Sequence, residues 1–124
     1  MDEKRILVVD DEAVVAAAIA AILEMDGHSI EIVDNGLDAL SKYTRGRYHL
    51  IVTDFDMPGM TGVELAERIK SHDAGQPILL LSAAPPPDAE FKFDWVVRKP
   101  FAGDELRRVV GDLTRHGPFE QALP

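Results

Sequence analysis

Leu50-Ile51-Val52-Thr53-Asp54-Phe55-Asp56-Met57-Pro58-Gly59-Met60-Thr61-Gly62 is the stretch from which the rest of the chain can be read. Its opening apolar residues, 50–52, form a short continuous run of the kind found in a strand buried on both faces. The run stops at a carboxylate, Asp54, and Pro58-Gly59 and Gly62 then impose a turn and a loop. Thr61 and Glu64 have the T-x-x-E spacing of a capping box, so a helix should leave directly from that loop. In an open α/β sheet, ligands bind outside the carboxyl ends of the strands. Asp54 stands at such an end. A single Asp after a strand is more often a turn residue, and the other strand ends decide between the two readings.

Working outward, residues 5–9 give a second short apolar run, Ile6-Leu7-Val8-Val9, that stops at Asp10-Asp11-Glu12. A helix should follow, burying Val15, Ile19, Ile22 and Leu23 and closing at Asp26-Gly27. Its other faces are rich in alanine (Ala16, Ala17, Ala20, Ala21), which suits helix formation and would also leave a smooth face for a docking partner. Residues 29–33 read as a third strand, and Asp34-Asn35-Gly36 turns into a helix with Leu37 and Leu40 inward. Beyond the central strand a helix over 62–71 carries Leu65, Ala66 and Ile69. Ile78-Leu79-Leu80-Leu81 is a strand ending at Ser82, and residues 91–98 read as a fifth strand ending at Lys99-Pro100. A last helix presents Leu106, Val109, Val110 and Leu113 on one face.

Strands alternating with helices predict an α/β fold with a parallel sheet covered on both sides. Right-handed crossovers leave few arrangements, among them the flavodoxin-like, doubly wound order 2-1-3-4-5. In that order Asp10, Asp11 and Asp54 converge on one crevice, with Ser82 and Lys99 on its other side. Three carboxylates in one pocket repel one another unless a cation sits among them. Oxygen ligands without Cys or His favour a hard cation such as Mg²⁺. A lysine opposite them suits phosphate oxygens, and a serine hydroxyl can donate to one. Such parts suit phosphoryl transfer onto a carboxylate.

The composition sets bounds on this reading. A chain of 124 residues should form one domain, 1–116, followed by a tail or linker start over 117–124. Twenty-two acidic and 13 basic residues give a net charge of −9, which opposes binding to nucleic acid or an anionic membrane. Cysteine is absent, so disulfides and thiolate metal sites are excluded. No apolar run reaches membrane-spanning length, and the expected location is the cytoplasm. The histidines (His28, His49, His72, His116) lack zinc-ligand spacing.

Val8-Val9-Asp10-Asp11, Asp54 with Met57-Pro58 and Gly62, Ser82-Ala83, and Lys99-Pro100-Phe101 resemble, in order, the receiver domain of two-component response regulators. The resemblance spans roughly residues 4–114. Each motif is weak alone, and the four together at successive strand ends are specific. The resemblance implies that Asp54 is the phosphoacceptor and that Asp10, Asp11, Asp54 and the backbone carbonyl of Asp56 hold Mg²⁺. It implies Ser82 as the switch hydroxyl, Lys99 as the phosphate-pairing lysine and a cis Lys99–Pro100 peptide. The implied partners are a histidine kinase or histidine phosphotransfer protein and an output partner, with a homodimer open as a further arrangement. The implied role is that of a phosphoacceptor with self-catalysed phosphorylation and dephosphorylation, not of an enzyme. A degenerate receiver, working as an interaction module without phosphate, is the alternative. A phosphatase reading, from the D-x-D of Asp54-Phe55-Asp56, is weaker because the motif lies on the third strand and Pro58 follows it.

Two departures from the family pattern shape the expectations. An aromatic residue usually stands three positions before the lysine, and here that position is Val96, beside Trp95. Residues 83–90 contain Pro85-Pro86-Pro87, too short and too proline-rich for a typical helix of about 11 residues. The fourth helix should be missing or reduced to one turn. Strict alternation from Phe91 would put Phe93, Trp95 and Val97 under the last helix, against Leu106, Val109 or Val110, and leave a polar opposite face. Partners would then read the first helix near Asp11 or the open edge of the fifth strand.

Overall fold

A computed structural model of the chain describes residues 3–115; the proposed tail, 117–124, and His116 lie outside them. The elements run β1 (Arg5–Val9), α1 (Ala13–Glu24), β2 (Ser29–Val33), α2 (Gly36–Lys42), β3 (Leu50–Asp54), α3 (Gly62–His72), β4 (Ile78–Ser82), α4 (Ala89–Lys92), β5 (Trp95–Arg98) and α5 (Gly103–Arg115). All five strands are parallel, in the order β2-β1-β3-β4-β5. This is the flavodoxin-like, doubly wound sheet that the strand and helix alternation predicts.

The continuous apolar runs follow from burial on both sheet faces. Along β1, Leu7 and Val9 enter one core layer with Leu65, Ala66 and Ile69 of α3. Ile6 and Val8 enter the other with Ile19 and Leu23 of α1 and Leu106, Val109 and Val110 of α5. Two helices bury smaller residues than their larger side chains suggest. In α1 the buried positions are Ala16, Ile19, Ala20 and Leu23, while Val15 and Ile22 are half-buried. In α2 Gly36 and Ala39 face inward and Leu37 is 67% exposed, contrary to the inward placement expected of it. A side chain on Gly36 would run into that of Met60, so α2 sits close against the loop after β3.

The segment after β4 bears out the short-helix expectation and corrects its details. The fourth helix is one turn at Ala89–Lys92, so its second half lies over residues expected in the strand. It is held by Lys92 Nζ, 2.7 Å from Glu67 Oε2 on α3, and by burial of Ala89 and Phe93 in the layer beside α3. The fifth strand begins only at Trp95, so the alternation read from Phe91 does not hold across the bend at 93–94. Phe93 lies in the α3 layer, not under α5; Val97 alone of that set joins Leu106, Val109 and Val110. Trp95 is 55% exposed, which overturns its expected burial. Nor is the opposite face wholly polar, because Val96 packs against the α3 layer. Asp94 fixes where β5 starts: its Oδ2 accepts from the Ile78 amide at 2.7 Å and from Lys70 Nζ at 2.8 Å.

The amino ends of the strands hold two histidines. His49 Nδ1 accepts the Arg5 amide at 3.0 Å, standing in for a ladder carbonyl at the start of β1. Burial holds the imidazoles of both His28 and His49 below their ordinary range, helped by the nearby Lys4, and for His49 by Arg5; Asp26 opposes the shift at His28. A histidine with a lowered folded pKa binds its proton more readily in the unfolded chain. Its stabilising contribution is therefore full above the unfolded value of 6.5 and lost as pH falls below it. The urea midpoint should be lower at pH 5 than at pH 7.5, and His49→Gln, which keeps an acceptor without titrating, should flatten part of that difference.

Candidate functional site

The register of the sheet brings the candidate residues together at one edge. Val9 lies opposite Thr53, Asp54 opposite Leu81, and Ser82 opposite Arg98. Asp10, Asp54, Ser82 and Lys99 therefore occupy successive carboxyl ends of β1, β3, β4 and β5. Their positions are fixed by backbone contacts. The Asp10 amide donates to the Val33 carbonyl at 3.1 Å, and the Lys99 amide to the Ser82 carbonyl at 3.0 Å. The Lys99–Pro100 peptide is cis, as the resemblance implied.

The loop after β3 is pinned at both ends. The capping box read from Thr61 and Glu64 is formed: Thr61 Oγ1 accepts from the Glu64 amide at 3.2 Å, and Glu64 Oε1 from the Thr61 amide at 3.1 Å. The Gly62 amide donates to the Phe55 carbonyl at 2.9 Å. A Cβ on Gly62 would collide with the Asp54 carbonyl oxygen, so only glycine lets α3 start this close to the strand end. Gly59, with φ of 84°, supplies the left-handed turn between them. Thr53 was not foreseen as part of this support. It is fully buried, and its hydroxyl donates to the Asp54 carbonyl at 2.9 Å. A hydroxyl inside an otherwise apolar strand was the available signal.

At the mouth of the crevice Asp10, Asp11 and Asp54 each offer a carboxylate oxygen, all within 4.8 Å of one another. Asp10 is buried, Asp54 is nearly so, and Asp11 is exposed. Lys99 Nζ lies 3.3 Å from Asp54 Oδ1 and 3.8 Å from Asp10 Oδ2. Asp10 Oδ1 accepts from the Glu12 amide at 2.9 Å, whereas its buried Oδ2 has no hydrogen-bond donor among the described residues. Burial pushes the Asp10 carboxyl above its ordinary range, with Asp54 and Asp11 adding to the shift and the Glu12 amide and Lys99 opposing it. A buried acceptor without a donor, among three hard oxygen ligands, fits a divalent cation such as Mg²⁺. Ser82 is buried across the crevice, its Oγ accepting the Ala84 amide at 3.2 Å and its own proton free to point elsewhere. Asp56 lies exposed in the loop. Trp95 cannot stand in for the aromatic residue absent at Val96, because neighbours in a strand face opposite ways and the two lie on different sides of the sheet.

A five-stranded doubly wound sheet with this cluster at its carboxyl edge defines a receiver fold. Residues 6–111 match the family model of the response regulator receiver domain, and the chain belongs to that family. It is 33% identical over 123 residues to the "uncharacterized transcriptional regulatory protein YkoG" of Bacillus subtilis, covering 94% of this chain and 54% of that protein. It is 35% identical over 129 residues to the phosphate regulon transcriptional regulatory protein PhoB of Pseudomonas aeruginosa, covering 98% and 56%. The chain thus spans about half the length of these curated relatives. Among solved structures, it resembles the response regulator protein TrrA of Thermotoga maritima, in complex with Mg²⁺-BeF, at 36% identity and a TM-score of 0.83, over 89% of this chain and 98% of that one. It is therefore a response regulator receiver domain of two-component systems.

Proposed function

We propose that this domain takes a phosphoryl group from a histidine kinase or histidine phosphotransfer protein onto Asp54, and that the modification changes a partner-binding surface. The observation that carries the reading is the pairing of Lys99 with Asp54 and Asp10 inside a three-carboxylate crevice. Asp10, Asp11, Asp54 and the backbone carbonyl of Asp56 would hold Mg²⁺, which when bound neutralises charge on the transferring phosphoryl group. Asp54 supplies the nucleophilic oxygen: its bond to phosphorus forms as the bond to the donor's leaving group breaks. Lys99 balances the negative charge that gathers on the phosphoryl oxygens. The Ser82 hydroxyl donates to one of those oxygens once the group is in place. Hydrolysis of the acyl phosphate by water returns the starting carboxylate, so phosphorylation and its loss are both catalysed by the domain itself.

The one-turn α4 leaves little helical surface for output on that side. Exposed apolar side chains lie instead on α1 beside Asp11, where Val14 is 83% exposed, and at β5, where Trp95 stands out from the edge strand. These are the surfaces on which kinase and output partners would dock in a cytoplasmic setting; among the described residues no helix is long and apolar enough to cross a membrane. The degenerate alternative draws support from Val96 and the short α4 but leaves the Lys99–carboxylate cluster without a purpose.

Beryllofluoride, a stable phosphoryl mimic, tests this reading. Added with Mg²⁺, it should shift the amide resonances of Thr53–Asp56, Ser82–Ala84 and Lys99 into a second, saturable set, and should do nothing without the metal. Unchanged spectra with both present would favour the degenerate receiver.

A further inference from the structure

The far pole of the molecule, at the amino ends of the strands, carries an open groove of about 660 Å³ between the carboxyl ends of α2 and α3. Leu40 and Tyr43 form its apolar wall, and Arg45, Arg68, Ser71 and His72 its polar rim. The Tyr43 hydroxyl donates to Asp73 Oδ2 at 3.0 Å, which fixes the ring; burial and this contact push the phenol up to about 12, so the ring stays neutral. Asp73 is the neighbouring carboxylate, and it is already engaged by Tyr43, by the Gly75 amide and, at 3.9 Å, by Arg45. Arg68 makes no ion pair among the described residues.

Helix dipoles account for only part of this cationic cluster. Of the groove's basic residues, His72 lies in the last turn of α3, where positive charge is favoured. Arg68 lies before that turn and Arg45 beyond the end of α2, so neither is placed by the dipole. Two guanidinium groups thus line one groove of a chain whose net charge is −9, and the exposed Arg45 is held, among the described residues, only by its long contact with Asp73 at 3.9 Å. A concave site with an apolar wall and a few convergent polar groups is the form that small-molecule sites take, and a volume in the range of about 300–1,000 Å³ is usual for them. Guanidinium groups suit the planar, multidentate recognition of phosphate.

We propose that this groove binds an aromatic phosphate monoester of the nucleoside monophosphate class. Its phosphate lies between Arg45 and Arg68, its ring lies against Leu40 and Tyr43, and Ser71 Oγ, which donates its proton to the Arg68 carbonyl at 2.6 Å, accepts from a sugar hydroxyl. The site is separate from Asp54, which lies at the opposite end of β3, and does not depend on phosphorylation there.

Adenosine 5′-monophosphate, titrated into the chain without Mg²⁺ and followed by amide chemical shifts, tests the proposal. Saturable shifts should centre on residues 40–45 and 68–73 and persist in Asp54→Asn. Adenosine alone and inorganic phosphate alone should each bind at least about tenfold more weakly, as should the nucleotide to Arg45→Gln/Arg68→Gln. Both arginines are exposed, so that variant should keep its fold, which the unperturbed remainder of the spectrum would verify. The proposal is overturned if the nucleotide does not saturate, if the double variant binds it equally well, or if inorganic phosphate alone binds as tightly.

Discussion

Replacing Asp10 and Asp11 together with alanine should abolish Mg²⁺ binding and raise the melting temperature of the metal-free protein by about 5 °C. The argument begins with the crowding. At separations within 4.8 Å each carboxylate pair repels by roughly 3 kcal/mol at an effective dielectric constant near 20, before any compensation. Lys99 offers a single positive charge against three such pairs. Burial is the main cause of the raised Asp10 pKa, and repulsion from Asp54 and Asp11 adds to it. A carboxyl whose folded pKa is raised binds its proton more tightly in the folded chain. Its contribution to stability is whole below the unfolded value of 3.8 and is lost as pH rises through the folded one. Once pH has risen through that folded value, the charge on Asp10 weakens the metal-free fold, and deleting it relieves the strain at the expense of the metal. Thermal melts in chelator and a magnesium titration check the two halves separately. A double variant that kept normal Mg²⁺ binding would place the metal elsewhere, and one that melted lower without metal would refute the repulsion argument.

Lys99→Ala should slow phosphoryl uptake from a small phosphodonor by about a hundredfold or more, the scale seen when one preorganised charge or donor is removed from a transfer site. Lys99 is half-buried and lies against both Asp10 and Asp54, so its ammonium is already in place before any donor arrives. The same substitution removes the cation that competes for these carboxylates, so Mg²⁺ affinity should be unchanged or higher. That opposition of signs separates a transfer role from a structural one: a merely disrupted pocket would lose both. Lys99→Arg, which keeps the charge but not the compact ammonium, should fall between wild type and alanine. A near-normal rate in Lys99→Ala would remove the lysine from the mechanism.

How much of this was legible beforehand depended on whether a signal was local. β1, β3 and β4 are each a short apolar run cut off by a polar residue, β2 alternates around Glu31, and the loop after β3 adds a proline, two glycines and a capping box. Those signals lie within a few residues of one another, and they placed Asp10, Asp54, Ser82 and Lys99 at one sheet edge. The start of β5 was not local. Phe91, Phe93, Trp95 and Val97 alternate like a strand, yet the chain turns helical at Ala89–Lys92 because a salt bridge to Glu67 and a clamp at Asp94 favour it. Both partners of those contacts lie at least 16 residues away. The inward face of α1 was read correctly at Ile19 and Leu23 and incompletely elsewhere, and that of α2 was misjudged at Leu37. Size and hydropathy pointed to Leu37, which is exposed, and close approach to neighbouring elements also buries Ala16, Ala20, Gly36 and Ala39, while Val15 and Ile22 pack against the layer half-buried. The groove between α2 and α3 left no mark in the sequence, since its two arginines are separated by a whole strand and most of a helix.

The central claim, that Asp54 accepts the phosphoryl group, is tested most directly by intact mass. Wild-type protein and Asp54→Asn would be incubated side by side with acetyl phosphate and Mg²⁺. Asparagine keeps the shape of the side chain and removes its nucleophilic oxygen. The wild type should gain one phosphoryl group that acid or hydroxylamine removes, and Asp54→Asn should gain none; equal labelling of the two proteins, or none in the wild type, would contradict the assignment.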